Sequence, residues 1–315
     1  MAELPSPKNL LLPVVLAFAL VFALMVFPPV GALIGVLSPF PLVFLYLQRG
    51  RQVGMILVAL VFVMLLMMVG VNQAMLFLAE YALMALVLGE MIRIQLPADR
   101  CILVSTLATG LASIVMLLVL FGPEGTSIEE FFEGQIRAHF SQSMVAFESM
   151  GENKAEVTDM KAFVEQMAGI FAASYPAFLL IGSLISTTIN YGLIRITWIR
   201  LYGPGLFPGP VFSEWLCPET LIWGFIISGA ALFFGQGIVS DAGLNIFLVM
   251  LVVYFTQGMS IVVYFLKARK VQVFFWFILF ILIFVQPLLI GLVAGLGVFD
   301  IWADFRKLRT APDMK

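Results

Sequence analysis

The sequence predicts an all-α fold: a polytopic transmembrane helical bundle of about 8–10 spans with one amphipathic extracytoplasmic helical loop. Three observations carry this. The 315 residues are 62% hydrophobic and 11% charged, with a mean hydropathy of +1.08, whereas soluble domains carry about 25% charged residues. Stretches such as MILVALVFVMLLMMVG (55–70) are apolar on every helical face, which excludes the alternating pattern of a β-barrel. The basic residues also sort to one side once spans are drawn.

A helix crossing about 30 Å of hydrocarbon needs about 20 residues. The first apolar block, 9–48, is twice that length with Pro28-Pro29 near its middle, and it reads as two short spans. Its opening run, 9–27, continues into more apolar sequence without a small-residue cleavage site, so it is expected to stay as a first helix. Spans follow at 52–70 and 73–92, parted by GVNQ (70–73), and at 101–122. The segment 123–163 is an acidic extracytoplasmic insertion. It opens on Ser127-Ile-Glu-Glu130, a capping box. Ile128, Phe132, Ile136, Phe140, Met144 and Phe147 then recur at helical spacing, which predicts an amphipathic helix on the outer membrane face or over the bundle. The lone histidine, His139, reads as solvated or interfacial. A long helix is expected over 164–198, then spans at 219–238 and 244–266. The last apolar block, 271–304, contains Gln286-Pro287 and reads as two short passes or a re-entrant pair. The whole chain, 1–315, reads as a single integral membrane domain.

With both termini in the cytoplasm, every one of the 17 lysines and arginines except Arg137, Lys154 and Lys161 falls on the cytoplasmic side. Cys101 and Cys217 lie beside cytoplasmic loops and are expected to be free thiols. The net charge of −2 implies no nucleic-acid partner; the lipid bilayer is the first partner.

Ionisable and polar groups inside spans mark candidate function. Glu80, within LFLAEYALMAL, must find a donor, face water or be protonated. Ser183, Ser186, Thr187, Asn190 and Tyr191 form one helical face of the long helix, readable either as a solute contact or as interhelical hydrogen bonding. Gln257, Ser260 and Tyr264 form a second stripe. Both stripes and Glu80 are candidates for one polar cavity. Glu90 reads as an ion pair with Arg93 at i+3. The closing segment sets Asp300 and Asp304 at i, i+4. Its aromatics Phe299, Trp302 and Phe305 suit the headgroup region, and Arg306 suits the cytoplasmic side. Two readings of it stand: an interfacial helix end with Asp304 near Lys307, or aspartates turned inward to hold arginines or a cation. There is no Gly-x-x-x-x-Gly-Lys-Ser/Thr loop, no His-Glu-x-x-His and no Gly-x-Ser-x-Gly. No catalytic residues, metal ligands or cofactors are therefore expected, and the chain does not read as an enzyme.

The chain resembles the YybS-like bacterial membrane proteins, a family with a domain of unknown function. The resemblance rests on SPFPLVFLYLQRG (38–50), on PVFSEWLCPETLIW (210–223) after Asn190, and above all on GLGVFDIWADFRK (295–307). More distantly it is similar to the substrate-binding components of energy-coupling-factor vitamin transporters and to the rod-shape membrane protein MreD. The resemblance implies a multi-pass protein of the bacterial cytoplasmic (inner) membrane and supplies no catalytic residues. Two functions are then expected to compete. One is a solute-binding or transport-related component without its own ATPase, taking a small-molecule ligand. The other is a non-catalytic membrane scaffold binding envelope or cytoplasmic protein partners through the closing segment.

Overall fold

A computed structural model gives the fold of residues 19, 35–121, 128–149, 163 and 167–309, without the side chains of Phe121, Gln135, His139 and 141–149. Among the described residues the structure is mostly helical, with no strand, and it divides into two compact units, Met1–Gly209 and Pro210–Lys315. Among the described residues five helices are long and apolar enough to cross a membrane, and a sixth crossing is available if one bent pair counts as a single span. Most of the block 9–48, and Ser127 with its capping box, lie outside the described residues, as does the side chain of His139.

The first unit contains α1 (Pro39–Arg49), α2 (Arg51–Met68), α3 (Val71–Arg93), α4 (Ala98–Phe121), α5 (Ile128–Ser149) and α6 (Tyr175–Tyr202). Gly50 alone joins α1 to α2, and Val69-Gly70 joins α2 to α3. Gly50 has φ 88° and Gly70 has φ 106°, conformations that cost a side-chain-bearing residue and cost glycine nothing. The expected spans 52–70, 73–92 and 101–122 correspond to α2, α3 and α4. The helix expected over 164–198 takes its membrane length as Tyr175–Tyr202, with Pro176 in the first turn, where its missing N–H is harmless.

Helix α4 shows how the bilayer orders this unit. Leu103, Leu107, Leu111, Val115 and Val119 are exposed. Its buried positions are Cys101, Ser105, Thr106, Thr109, Gly110 and Ser113. In water this arrangement would be inside out. In lipid, large apolar side chains lose nothing by facing the tails, and small residues let helices approach closely. Helix α4 accordingly packs along both α3 and α6.

The apolar face of α5 docks on the start of α6. Ile128 is buried, and Phe132 stacks on Tyr175 with ring centroids 5.7 Å apart. An apolar recess of about 220 Å³ lies beneath, lined by Phe132, Ile136, Phe171, Tyr175, Phe178 and Leu179. Phe140, further along, is exposed, so the described part of the face covers the bundle only over its first turns.

The second unit contains α7 (Leu221–Phe234), α8 (Ile238–Ala268), α9 (Val273–Val285) and α10 (Pro287–Ala303). The span expected over 219–238 is a shorter helix, and the one expected over 244–266 a longer one of 31 residues. Helix α8 packs against α7 on one side and α10 on the other. Its contact with α10 is backbone to backbone. A Cβ on Gly258 would strike Val293 O, and one on Gly297 would strike Tyr254 O. Helices α9 and α10 meet at Gln286-Pro287 with a bend of 103°. At 1.5 Å per residue they are about 20 and 26 Å long, each short of a full crossing. The pair goes in and comes back: Lys267, at the end of α8, donates to Ser213 Oγ, and Arg306, just after α10, donates to Ser213 O. Phe274, Phe277, Ile281 and Phe284 of α9 face outward, the arrangement expected of a lipid-facing helix.

The glycine seam gives a direct test. Gly258→Ala should destabilise the protein by about 1–3 kcal/mol, the usual cost of overpacking. Gly291→Ala, on the same hairpin but with open space around its Cβ, should be neutral. Unfolding in detergent, followed by circular dichroism, distinguishes them.

Candidate functional site

Polar side chains collect in two places, one in each unit, and the two differ in how far their hydrogen bonds are satisfied. In the second unit Asp300 and Arg306 form a salt bridge of 3.0 Å with both side chains fully buried. The carboxylate takes three donors. Gln257 Nε2 reaches Oδ2 at 2.7 Å, Arg306 Nη2 reaches the same oxygen, and the Phe305 N–H reaches Oδ1 at 3.0 Å. Arg306 also donates to Ser213 O (2.8 Å), Ser260 Oγ (2.6 Å) and Trp215 O (3.1 Å), leaving only its Nε without a partner. Gln257 Oε1 accepts from the Cys217 N–H at 3.0 Å, and Ser260 Oγ donates to Trp215 O. A charge pair so buried is tolerated only when the remaining lone pairs and protons are satisfied too. Here the loop 213–217 supplies three backbone groups to that end.

This clasp brings together residues that the sequence placed in separate groups. Gln257 and Ser260 engage the closing segment, and their hydrogen bonds are filled from within the second unit. Asp300 and Asp304 do not share a helix face, because α10 stops at Ala303. Asp304 takes a left-handed conformation at φ 39°, and its carboxylate caps the next turn by accepting the N–H groups of Leu308 and Arg309. Its backbone carbonyl also accepts the Lys307 N–H at 2.8 Å. Arg309 completes the helix end by donating to Asp300 O and Ile301 O. Phe299, Trp302 and Phe305 remain exposed. Burial pushes the Cys217 thiol up to about 12, with Arg309 pulling weakly the other way, so it is a neutral, unreactive thiol. Both cysteines are free and buried.

The first unit contains the other cluster. Its Arg-rich end is conventional: Arg93 pairs with Glu90 at 2.6 Å, and the Tyr46 hydroxyl also donates to Glu90. Deeper in, Asn190 Nδ2 donates to Val36 O (2.7 Å) and Ser186 O (2.8 Å), leaving its Oδ1 buried and without a donor. The hydroxyls of Ser105, Thr106, Thr109 and Ser113 on α4, of Thr187 on α6 and of Ser38 are also buried and unpartnered. Helical hydroxyls commonly satisfy themselves on the carbonyl one turn back, and Ser174 and Thr256 do so here. The α4 group does not. Ser183 and Tyr191 are buried on the same face of α6.

Glu80 sits in a π-helical turn, Leu78–Ala82, the one interruption of α3. Such turns occur disproportionately at functional sites. Glu80 is partly buried, and no described residue donates a hydrogen bond to it. Helix packing sets its level. Ser186 Oγ lies 3.6 Å from Met84 Sδ, so one turn back Glu80 is level with Gly182 and Ser183. Gly110 of α4 lies against Leu180 of α6, and α4 runs opposite to α6. Thr106 and Thr109 therefore fall at the same level. A carboxyl, the unpartnered hydroxyls of α4 and the Ser183 stripe thus share one depth of the bundle. The α4 hydroxyls were missed in the sequence reading, although STLATGLAS shows them at i, i+1, i+4 and i+8. Among the described residues no three His, Cys, Asp or Glu side chains are grouped to hold a metal.

Fold and composition define a polytopic α-helical membrane protein. The chain belongs to the family of predicted membrane proteins DUF2232, whose model matches residues 15–301. No curated protein and no solved structure matches it.

The clasp predicts two outcomes. Arg306→Met should cost about 3–5 kcal/mol by leaving the Asp300 charge buried alone, while Gln257→Leu should cost about 1–3 kcal/mol, both read by unfolding in detergent. In a Cys101→Ser background, Arg306→Met should also turn Cys217 from slow to fast alkylation by a maleimide at pH 7.5.

Proposed function

We propose that the protein is a solute-binding or transport-related component of the bacterial cytoplasmic membrane, with no ATPase of its own, and that its site is the Glu80 level of the first unit. The observation that carries this is Glu80 itself: an ionisable side chain on a π turn inside a span, with no described hydrogen-bond donor, at the depth of several unpartnered hydroxyls. An unpaired buried hydroxyl costs about 1–3 kcal/mol, and an unpaired carboxylate far more. A bound solute or water offsets both. The loose resemblance to energy-coupling-factor substrate-binding components agrees with this.

The scaffold reading has less to support it. Asp300 and Arg306, the polar residues that would capture a partner, are spent inside the protein. What remains exposed there is aromatic and suits lipid headgroups.

Mass spectrometry of small molecules that accompany the protein through gentle purification provides the test. The expected result is a compound at near one per chain that is lost from Glu80→Gln while the fold survives. An empty wild-type protein, or a compound retained by Glu80→Gln, would refute the assignment.

A further inference from the structure

The chemistry of the same level narrows what binds there, and this inference rests on the reading above. We infer that the solute bound at Glu80 is a monovalent cation, either a metal ion or an ammonium group, and not an anion.

Glu80 offers two acceptor oxygens when ionised. Oxygen is what the α4 face presents at this depth, at Ser105, Thr106 and Thr109, each buried and unpartnered. A hydroxyl can turn its proton to a carbonyl and offer its lone pairs inward. The described cations of this unit are far from Glu80. Arg93 on α3 and Arg195 on α6 are each about 20 Å further along their helices, and Arg100 at the start of α4 is about 12 Å away along the axis. A carboxylate or phosphate solute would meet a carboxyl with no described cation to hold it, at high cost in a low-dielectric interior. A monovalent cation would neutralise Glu80 and satisfy the orphaned oxygens together. One carboxylate balances one positive charge, which argues against a divalent ion.

Helix register supports the same conclusion. The π turn widens α3 where Glu80 lies, and α4 meets it with small hydroxyl-bearing residues in place of leucines. Oxygen ligands drawn from several helices around a locally irregular turn are a recurrent way to hold cations within membranes.

The test is calorimetric titration of the full-length protein in detergent. Sodium chloride, potassium chloride and methylammonium chloride are the probes, with tetraethylammonium chloride holding the ionic strength. Tetraethylammonium acetate and phosphate are the anionic controls. One of the three cations should bind saturably at one per chain. Sodium or potassium would identify a metal-ion site, and methylammonium an amine site. Glu80→Gln should weaken that cation about ten- to a hundredfold, the loss of one charge-assisted hydrogen bond. Thr109→Val, which keeps shape and cannot unbalance a charge, should weaken it about fivefold. Saturable binding of acetate or phosphate, absence of saturable cation binding, or cation binding indifferent to both substitutions would overturn the inference. A neutral or anionic metabolite that depends on Glu80 in the purified protein would overturn the cation while leaving the solute-binding reading standing. Absence of any Glu80-dependent ligand would remove both.

Discussion

The rest of the structure depends on one constraint: inside a bilayer there is no water to complete a hydrogen bond. Every polar group carried into the hydrocarbon must be matched by the protein or by something the protein holds. The two units meet this requirement differently. In the second, Asp300 and Arg306 are enclosed by Gln257, Ser260 and the backbone of 213–217, so that nearly every donor and acceptor is used. That saturation explains why a segment ending in several cations can turn back into the helix bundle. The clasp, together with the glycine seam between α8 and α10, holds the short α9–α10 pair against its neighbour without an extended apolar core.

In the first unit the matching is incomplete, and incompleteness is the informative part. Tyr46, Glu90 and Arg93 close one end of the unit with ordinary hydrogen bonds. Deeper in, Asn190 ties the α6 face to Val36, yet its own oxygen and the hydroxyls of α4 are left over. Leftover hydroxyls at the depth of Glu80 are poor design for packing alone, since alanine or glycine would let the helices approach as closely without burying a hydroxyl. They suit a helix interface that also holds a ligand.

Much of the fold was legible because hydropathy and length report directly on the membrane. The helices at 51–68, 71–93, 98–121 and 273–303 fall within a few residues of the expected spans, and the bend at Gln286-Pro287 follows from proline chemistry. The Glu90–Arg93 pair and the free cysteines were also readable, being local. The clasp was not, because Gln257 and Asp300 meet across a separation of 43 residues that no spacing rule connects. Spacing alone even suggested the wrong grouping for Asp304, which ends its helix instead of continuing the face of Asp300. The α4 hydroxyls escaped for a different reason. In a soluble helix the buried stripe is the apolar one. In α4 the buried stripe is polar and small, and it disappears into an apolar run when read by hydropathy. The π turn at Glu80 leaves no mark in sequence at all.

The most direct test is an experimental structure of the protein in a lipid nanodisc, at a resolution that shows ordered water and ions. The account predicts that Glu80 points between α3, α4 and α6. It also predicts density for a bound ion, amine or water within about 3 Å of its carboxyl and of a hydroxyl on α4. Glu80 turned to the lipid, or helices closed tightly around it with no space for a ligand, would contradict the account.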